Sequence, residues 1–290
     1  MASPRDSLPA AAQEGFKDAT AYDTYRPSYL PDAVEAFLEK LKVARQPDSK
    51  IVEIASGTGK FTELLAQRPE RFLVKAIEPH TGMREKLVQK DLPAVEVVAG
   101  KAEEMPVDDE WGDACIAAQA FHWFATPGAL KEIHRVLRPG AVFGAIWNID
   151  DYNKPQAWKA TTKWEQRLND FVWSLDDGLP RFRHQKWKDI FDDQLTYNPI
   201  QVIKDSLTNS LPKFSLPIGE DSLTWTVWLS EDALWSRFNT LSQVAVLKGE
   251  EREAAVNLFK EIVHGDDVER NEKGEIAAHG VTYFFWTDRL

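Results

Sequence analysis

The sequence predicts an α/β fold: a doubly wound, seven-stranded, mostly parallel sheet of Rossmann-like type, with a helical insert or cap in its second half. Three observations predict it. Short apolar runs alternate with amphipathic stretches between residues 51 and 147. A glycine-rich turn follows the first of those runs. Near Trp147 the alternation stops and a charged, tryptophan-rich stretch takes over. Strands alternating with helices at this spacing argue for a parallel sheet with helices packed on it.

Taken in order, residues 1–15 are rich in Ala, Pro and Ser and read as a mobile tail. Residues 16–45 read as an N-terminal lid and a helix. Phe16, Tyr22, Tyr25 and Tyr29 are too many aromatics for a solvated tail. Pro31 suits a first helical turn, and Val34, Phe37, Leu38 and Leu41 then fall at helical spacing. Residues 46–149 form the α/β core. Strands are expected at 51–54, 72–77, 95–99, 113–118 and 141–147. Helices are expected at 60–67 and 81–90, and a third is expected to begin after Thr126-Pro127, an N-cap followed by proline. That third helix carries Leu130, Ile133 and Leu137 inward and is expected to end at Arg138-Pro139-Gly140. Residues 150–218 read as the helical insert or substrate cap. Residues 219–290 complete the sheet with strands at 223–229 and 281–287 and helices at 231–240 and 250–264.

Composition narrows the partners. The 290 residues carry 35 Lys and Arg against 46 Asp and Glu, a net charge of −11. Such a surface repels phosphate backbones and anionic lipid, and no basic run offsets it. Nucleic acid and membrane are therefore not expected as partners. No apolar run approaches the roughly 20 residues that span a bilayer, and the first residues lack the apolar segment of a secretory signal. One cysteine, Cys115, allows no intramolecular disulfide. A cytoplasmic monomer or homodimer acting on a small molecule is the expectation. Six histidines without ligand spacing predict no metal.

The chemistry concentrates in Val52-Glu53-Ile54-Ala55-Ser56-Gly57-Thr58-Gly59. A buried strand ends, a glycine turn follows, and a helix begins. Glycines there permit positive φ and a close backbone approach to a ligand, and the helix start adds unpaired N–H groups. A P-loop requires G-x-x-x-x-G-K-[ST], but Phe61 follows Lys60 and Ile54 stands five before Gly59. A dinucleotide fingerprint requires a third glycine where Thr62 stands. An S-adenosylmethionine site remains, with Glu53 facing the charged amino-acid end of the cofactor. The neighbours favour it. Glu78, in Ile77-Glu78-Pro79, stands at the end of the second strand and can accept both ribose hydroxyls. Lys101, Ala102 and Glu103 follow the third strand, where an adenine would sit, and Gln119 follows the fourth.

The runs EIASGTG, AIEP, GKAEEMP, AFHWF and EIHRVLRPGAVF, with Tyr22-Asp23-Thr24-Tyr25-Arg26-Pro27-Ser28-Tyr29 upstream, resemble the class I S-adenosylmethionine-dependent methyltransferases. More narrowly, they are similar to the small-molecule enzymes that include trans-aconitate methyltransferases. The resemblance covers residues 22–147 and is loose beyond them. It implies S-adenosyl-L-methionine as cofactor, held by Tyr22, Arg26, Glu53, Ala55, Gly57, Thr58, Gly59, Glu78, Pro79, Lys101, Ala102, Glu103 and Gln119. In this family the Tyr-Arg segment folds over the cofactor, so that Arg26 can pair with its carboxylate. Three departures stand out. Ala55-Ser56 replaces the usual Gly or Ala-Cys, Glu53 replaces the commoner Asp, and Lys101 replaces a frequent Asp.

His122, after the fourth strand, is the candidate general base. Tyr25, Trp123, Trp147, Trp228 and Trp235 are candidate walls of an apolar substrate pocket. Methylation of a carboxylate or hydroxyl is the expected activity. Two alternatives stay open: a cofactor-binding relative with other, non-methylating chemistry, and a non-catalytic binding protein on the same fold.

Overall fold

The structure is a computed structural model that describes residues 28–175, 178–192 and 212–290. Tyr22, Tyr25, Arg26 and the tail before them lie outside the described residues. Seven strands form one sheet: β1 (Lys50–Ile54), β2 (Leu73–Ile77), β3 (Val95–Val98), β4 (Gly112–Ala118), β5 (Leu137–Asp150), β6 (Gly219–Leu229) and β7 (Ile276–Asp288). Their order is β3-β2-β1-β4-β5-β7-β6. The pairs β1·β2, β1·β4, β2·β3 and β4·β5 are parallel. The strand order reverses beside β1, between β2 and β4, and such a switch point opens a crevice at the carboxyl ends of the strands.

Local sequence explains the first half. In α1 (Pro31–Lys40) the proline supplies the first turn, and Ala33, Val34, Phe37 and Leu38 are buried. β1 is buried from Ile51 to Ile54, as a central parallel strand must be. α2 (Lys60–Ala66) starts directly from Gly59, and α3 (Thr81–Gln89) is capped by the His80 side chain, which accepts from the Met83 N–H. In α4 (Pro127–Val136) the Thr126 hydroxyl accepts from the Ala129 N–H, and Ala129, Leu130, Ile133 and Val136 are buried. All seven expected strands and their order along the chain are present.

One expectation needs correction. The fifth strand starts at Leu137, not Ala141, so α4 stops at Val136 and Arg138-Pro139-Gly140 belongs to the strand. The register shifts between Gly112 and Ala114, opposite the stretch that holds Pro139 and Gly140. Such an irregularity accommodates a proline that cannot donate to the ladder. The chain divides into two compact units, and the division cuts through residues 150–218 and 219–290. Among the described residues the sheet unit comprises Ser28–Asn148, 180–192, 212–223 and Thr282–Leu290. The second unit comprises, among them, 149–175, 178–179 and Thr224–Val281. Hydrophobic pairing at long range, invisible to local periodicity, makes this division.

The sheet unit has a core of Phe37, Leu38, Leu41, Ile51, Phe61, Leu65, Phe72, Ile116, Val142, Ile146 and Phe284, among others. Tyr29 joins it, packed edge-on against Phe61 with ring centroids 5.1 Å apart. Residues 180–192 also belong here, through Phe182, Trp187 and Phe191. The short helix α6 (Asp189–Asp192) ends that segment. The second unit is built on α5 (Lys163–Ser174), α7 (Glu231–Phe238), α8 (Ser242–Ala245) and α9 (Gly249–Val263). Its core includes Trp164, Leu168, Leu234, Phe238, Phe259 and Ile262. Buried charge there is paired: Arg237 meets Asp150 at 2.6 Å and stacks over Trp225. The Glu165 carboxylate accepts from the Thr162 hydroxyl, the His279 N–H and His279 Nδ1. No helix of the described residues is long and apolar enough to cross a membrane.

Gly59 positions the site through packing. Its φ is +86°, and a Cβ there would lie 2.3 Å from Leu87 Cδ1 in the buried face of α3. Gly59→Ala is therefore expected to destabilise the chain by about 1–3 kcal/mol, from overpacking and a disfavoured φ. Urea unfolding checks this, and an unchanged midpoint would contradict it.

Candidate functional site

The candidate site lies in the sheet unit, at the carboxyl ends of β1, β2 and β4. The chain leaves β1 through Ala55 at φ +54° and Gly57 at φ +59°, and α2 begins after Gly59. A left-handed alanine is disfavoured, and such strain persists only where the surroundings dictate it. A Cβ on Gly57 would meet nothing nearer than Met83 Sδ at 3.8 Å. Gly57 thus has open space beside it, whereas Gly59 is packed.

Glu78 braces this turn. Its Oε2 accepts from the Gly57 N–H at 2.8 Å and its Oε1 from the His80 N–H at 2.7 Å. Arg84 donates to the carbonyls of Glu78 and Pro79, which anchors the β2 end from α3. Burial pushes the Glu78 carboxyl above its ordinary value, and the two backbone donors draw it back. Sequence reasoning placed Glu78 on a ribose. In the structure its established partners are the backbone of the glycine turn and of the α3 entry. Glu78→Ala is expected to cost about 1–3 kcal/mol of stability, because it leaves two N–H groups without acceptors. Thermal unfolding measures it, and a neutral result would deny the brace.

Glu53 is the electrostatic centre. It is 1% exposed, on β1. Its Oε2 has no hydrogen-bond partner among the described residues. Burial, the largest cause, pushes its carboxyl up to about 8; the Thr62 hydroxyl opposes the shift and the nearby Glu78 adds to it. No cation among the described side chains pairs with Glu53, so burial is left to disfavour its ionised form.

The other candidates divide. Gln119 leaves β4 at φ +59°, and its side-chain amide donates to the Asn148 carbonyl at 2.9 Å. Lys101 pairs by its backbone with Glu104; Ala102 is buried and Glu103 exposed, facing the Thr126 hydroxyl. His122 and Trp123 lie in a single 3-10 turn after β4. Trp147 is fully buried and packs against Phe182, Trp187, Tyr283 and Phe285. It is core rather than an accessible wall, which corrects that expectation. Trp228 and Trp235 belong to the second unit: Trp228 is exposed on β6, and Trp235 packs on Phe238 and Phe259.

Sequence reasoning missed Asn148. Its side chain donates to the Ser28 carbonyl and accepts from the Thr282 hydroxyl. It therefore ties the end of β5 to β7 and to the entering N-terminal segment. A polar residue ending an apolar strand was the available signal.

Fold and site together define an open α/β domain with a glycine turn and two buried carboxyl groups, Glu53 and Glu78, at the carboxyl ends of its strands. Residues 52–144 match the family model described as methyltransferase domain. A methyltransferase of Schizosaccharomyces pombe with no characterised activity is 35% identical over 200 residues, 69% of this chain and 72% of that protein. A methyltransferase-like protein of the same yeast is 31% identical over 175 residues, 60% of this chain and 63% of its own length. The malonyl-[acyl-carrier protein] O-methyltransferase of Serratia marcescens is 31% identical over 97 residues, 33% of this chain and 37% of that one. An Anaeromyxobacter dehalogenans structure described as a type II methyltransferase aligns with TM-score 0.56 at 21% identity, covering 92% of this chain and 98% of that one. The chain belongs to the class I S-adenosylmethionine-dependent methyltransferase family.

Proposed function

We propose that the chain transfers a methyl group from S-adenosyl-L-methionine to an oxygen, carboxylate or hydroxyl, of a small molecule. One observation carries the cofactor assignment: the buried Glu53 carboxyl, whose Oε2 has no hydrogen-bond partner among the described residues, beside the Gly57 turn, whose open face a Cβ would fill. These residues fit a ligand that brings positive charge and needs a close backbone approach. When bound, the cofactor supplies an activated methyl group on a sulfonium.

The chain's own residues supply binding and orientation. Glu53 offsets the positive charge of the amino-acid end. Gly57, Thr58 and Gly59 line the turn that Glu78 keeps in shape, and the segment after β3, at Lys101 to Glu103, takes the adenine side. His122 stands at the β4 end, where the acceptor would approach, and positioning there supplies much of the rate. The net charge of −11 favours a small acceptor over nucleic acid or an anionic membrane. The Serratia relative, named for O-methylation, supports oxygen as the acceptor atom.

The test is incubation with S-adenosylmethionine carrying a labelled methyl group and a metabolite extract, with calorimetry of S-adenosylhomocysteine alongside. Label in a small acidic or hydroxylated product supports the reading. Binding without transfer, from extracts of several sources, would favour a non-methylating relative. No binding would overturn the cofactor assignment itself.

A further inference from the structure

His122 lies in the turn after β4, and Trp147 lies on β5, the strand that pairs with β4. The indole Nε1–H of Trp147 donates to Nδ1 of His122 at 3.1 Å. Trp147 is 0% exposed, and its ring is held by Phe182, Trp187 and Phe285 at centroid distances of 4.9, 5.1 and 6.0 Å. Trp187 stacks in turn on Phe285 at 5.0 Å, with 13° between planes. Lys188 lies over Trp187 and Tyr283, and pairs with Glu220, which also accepts from the Tyr283 hydroxyl. All of these residues lie in the sheet unit. The indole is clamped and cannot turn its N–H elsewhere.

An indole nitrogen only donates. His122 Nδ1 must therefore accept, and a neutral imidazole carries a single N–H, so its proton resides on Nε2. We propose that Trp147 is a positioning residue that holds His122 in this tautomer, so that the imidazole meets the methyl acceptor as a hydrogen-bond donor and not as a general base. The inference rests on the methyl-transfer reading for its function, but not for its geometry. Nε2 already carries hydrogen and cannot take a proton from the acceptor. Nδ1 could take one only by expelling the indole N–H, which would leave a buried donor unsatisfied. With an ionised carboxylate as acceptor, a donor at Nε2 can instead hold one lone pair by a hydrogen bond while another faces the methyl group; the O–CH3 bond forms as the S–CH3 bond breaks, S-adenosylhomocysteine leaves, and no proton has to be removed. This revises the role expected for His122 from sequence position: the residue stays, and the direction of its hydrogen bond reverses.

The test has a spectroscopic arm and a kinetic arm. Imidazole ¹⁵N correlation spectra of the full chain, with and without S-adenosylhomocysteine, are recorded at about pH 8.5, above the ordinary imidazole range. The expected result is one His122 tautomer, protonated at Nε2, and a mixture of tautomers in Trp147→Phe. Phe182→Leu loosens the same ring cluster but leaves the indole bond, and is expected to keep the native tautomer. A His122 protonated at Nδ1, or a tautomer unchanged in Trp147→Phe, would overturn the proposal. In the kinetic arm, label transfer is compared in His122→Gln and His122→Ala. The glutamine amide can donate but cannot act as a base, so His122→Gln is expected to stay within about tenfold of native turnover, while His122→Ala loses about 100-fold or more. Equal loss in both variants would reject the donor role. If the tautomer is as proposed and no label moves in the native chain, the methyl-transfer reading and the donor role fail while the geometry stands. Should Trp147→Phe not fold, the native spectrum and the Gln–Ala pair still decide.

Discussion

Gly57→Val is expected to abolish binding of S-adenosylhomocysteine, a loss of more than about 100-fold, in a chain that still folds. The reason is spatial. A Cβ at Gly57 meets no atom of the chain closer than 3.8 Å, so the folded protein has room for a side chain there. The room it takes is the approach that a ligand needs to reach the turn backbone. Valine also disfavours φ +59°, the angle found at this position. Gly57→Ala separates the two effects, because it brings most of the conformational strain, about 1–2 kcal/mol, with little of the bulk. The expected order of affinity is native, then alanine, then valine, measured by calorimetry on variants whose circular dichroism matches the native chain. Native affinity in a folded valine variant would place the cofactor elsewhere.

Glu53→Gln is expected to stabilise the ligand-free chain at pH 8 and to weaken cofactor binding at the same pH. The sign follows from the raised carboxyl. In the folded chain burial holds Glu53 protonated up to about 8, against 4.5 for the free group. Between those values the folded state binds more protons than the unfolded one, so native stability falls as pH rises. The slope is about 1.4 kcal/mol per pH unit at most. Below the ordinary carboxyl value the contribution is flat, and above about 8 it is fully lost. Glutamine mimics the neutral carboxyl and has no such slope. The two chains should therefore unfold alike near pH 5 and diverge by several kcal/mol toward pH 8. Urea titrations at about pH 5, 6.5 and 8 measure this. Parallel curves for the native chain and the variant would mean that Glu53 finds compensation in the empty site. For the ligand the sign is opposite: a cation favours the ionised carboxylate, so the charge that destabilises the empty chain assists binding.

These two residues show how stability and function trade at one strand end. A carboxylate buried without a partner is a poor choice for folding alone. It is a reasonable choice where a cationic ligand completes the site, because the protein then carries an attraction that water does not screen.

Much of the site was legible from residue order. The glycines at 57 and 59, the acids at 53 and 78, and the strand–turn–helix setting follow from local rules, because a parallel strand is continuously apolar and a tight turn needs glycine. The N-caps at Thr126 and His80 differ instructively. Threonine before proline is a known start signal, whereas a histidine cap was not expected. Trp147 misled because an aromatic at a strand end reads equally as core or as pocket wall. Only the rings of Phe182, Trp187, Tyr283 and Phe285 settle that it is core.

The sequence by itself determined the class of fold, the seven strands and the location of the glycine turn, because each depends on contacts within a few residues. Tertiary structure alone decided the rest. The split of residues 150–218 between two units depends on which distant apolar faces pair, with Phe182 and Trp187 on the sheet unit and Trp164 and Leu168 in the second core. The direction of the His122 hydrogen bond depends on an indole 25 residues away. That Glu53 Oε2 has no hydrogen-bond partner among the described residues depends on what the elements packed around it place there. Local chain order encodes propensity and turn geometry; burial and hydrogen-bond partnership exist only once elements distant in sequence are brought into contact.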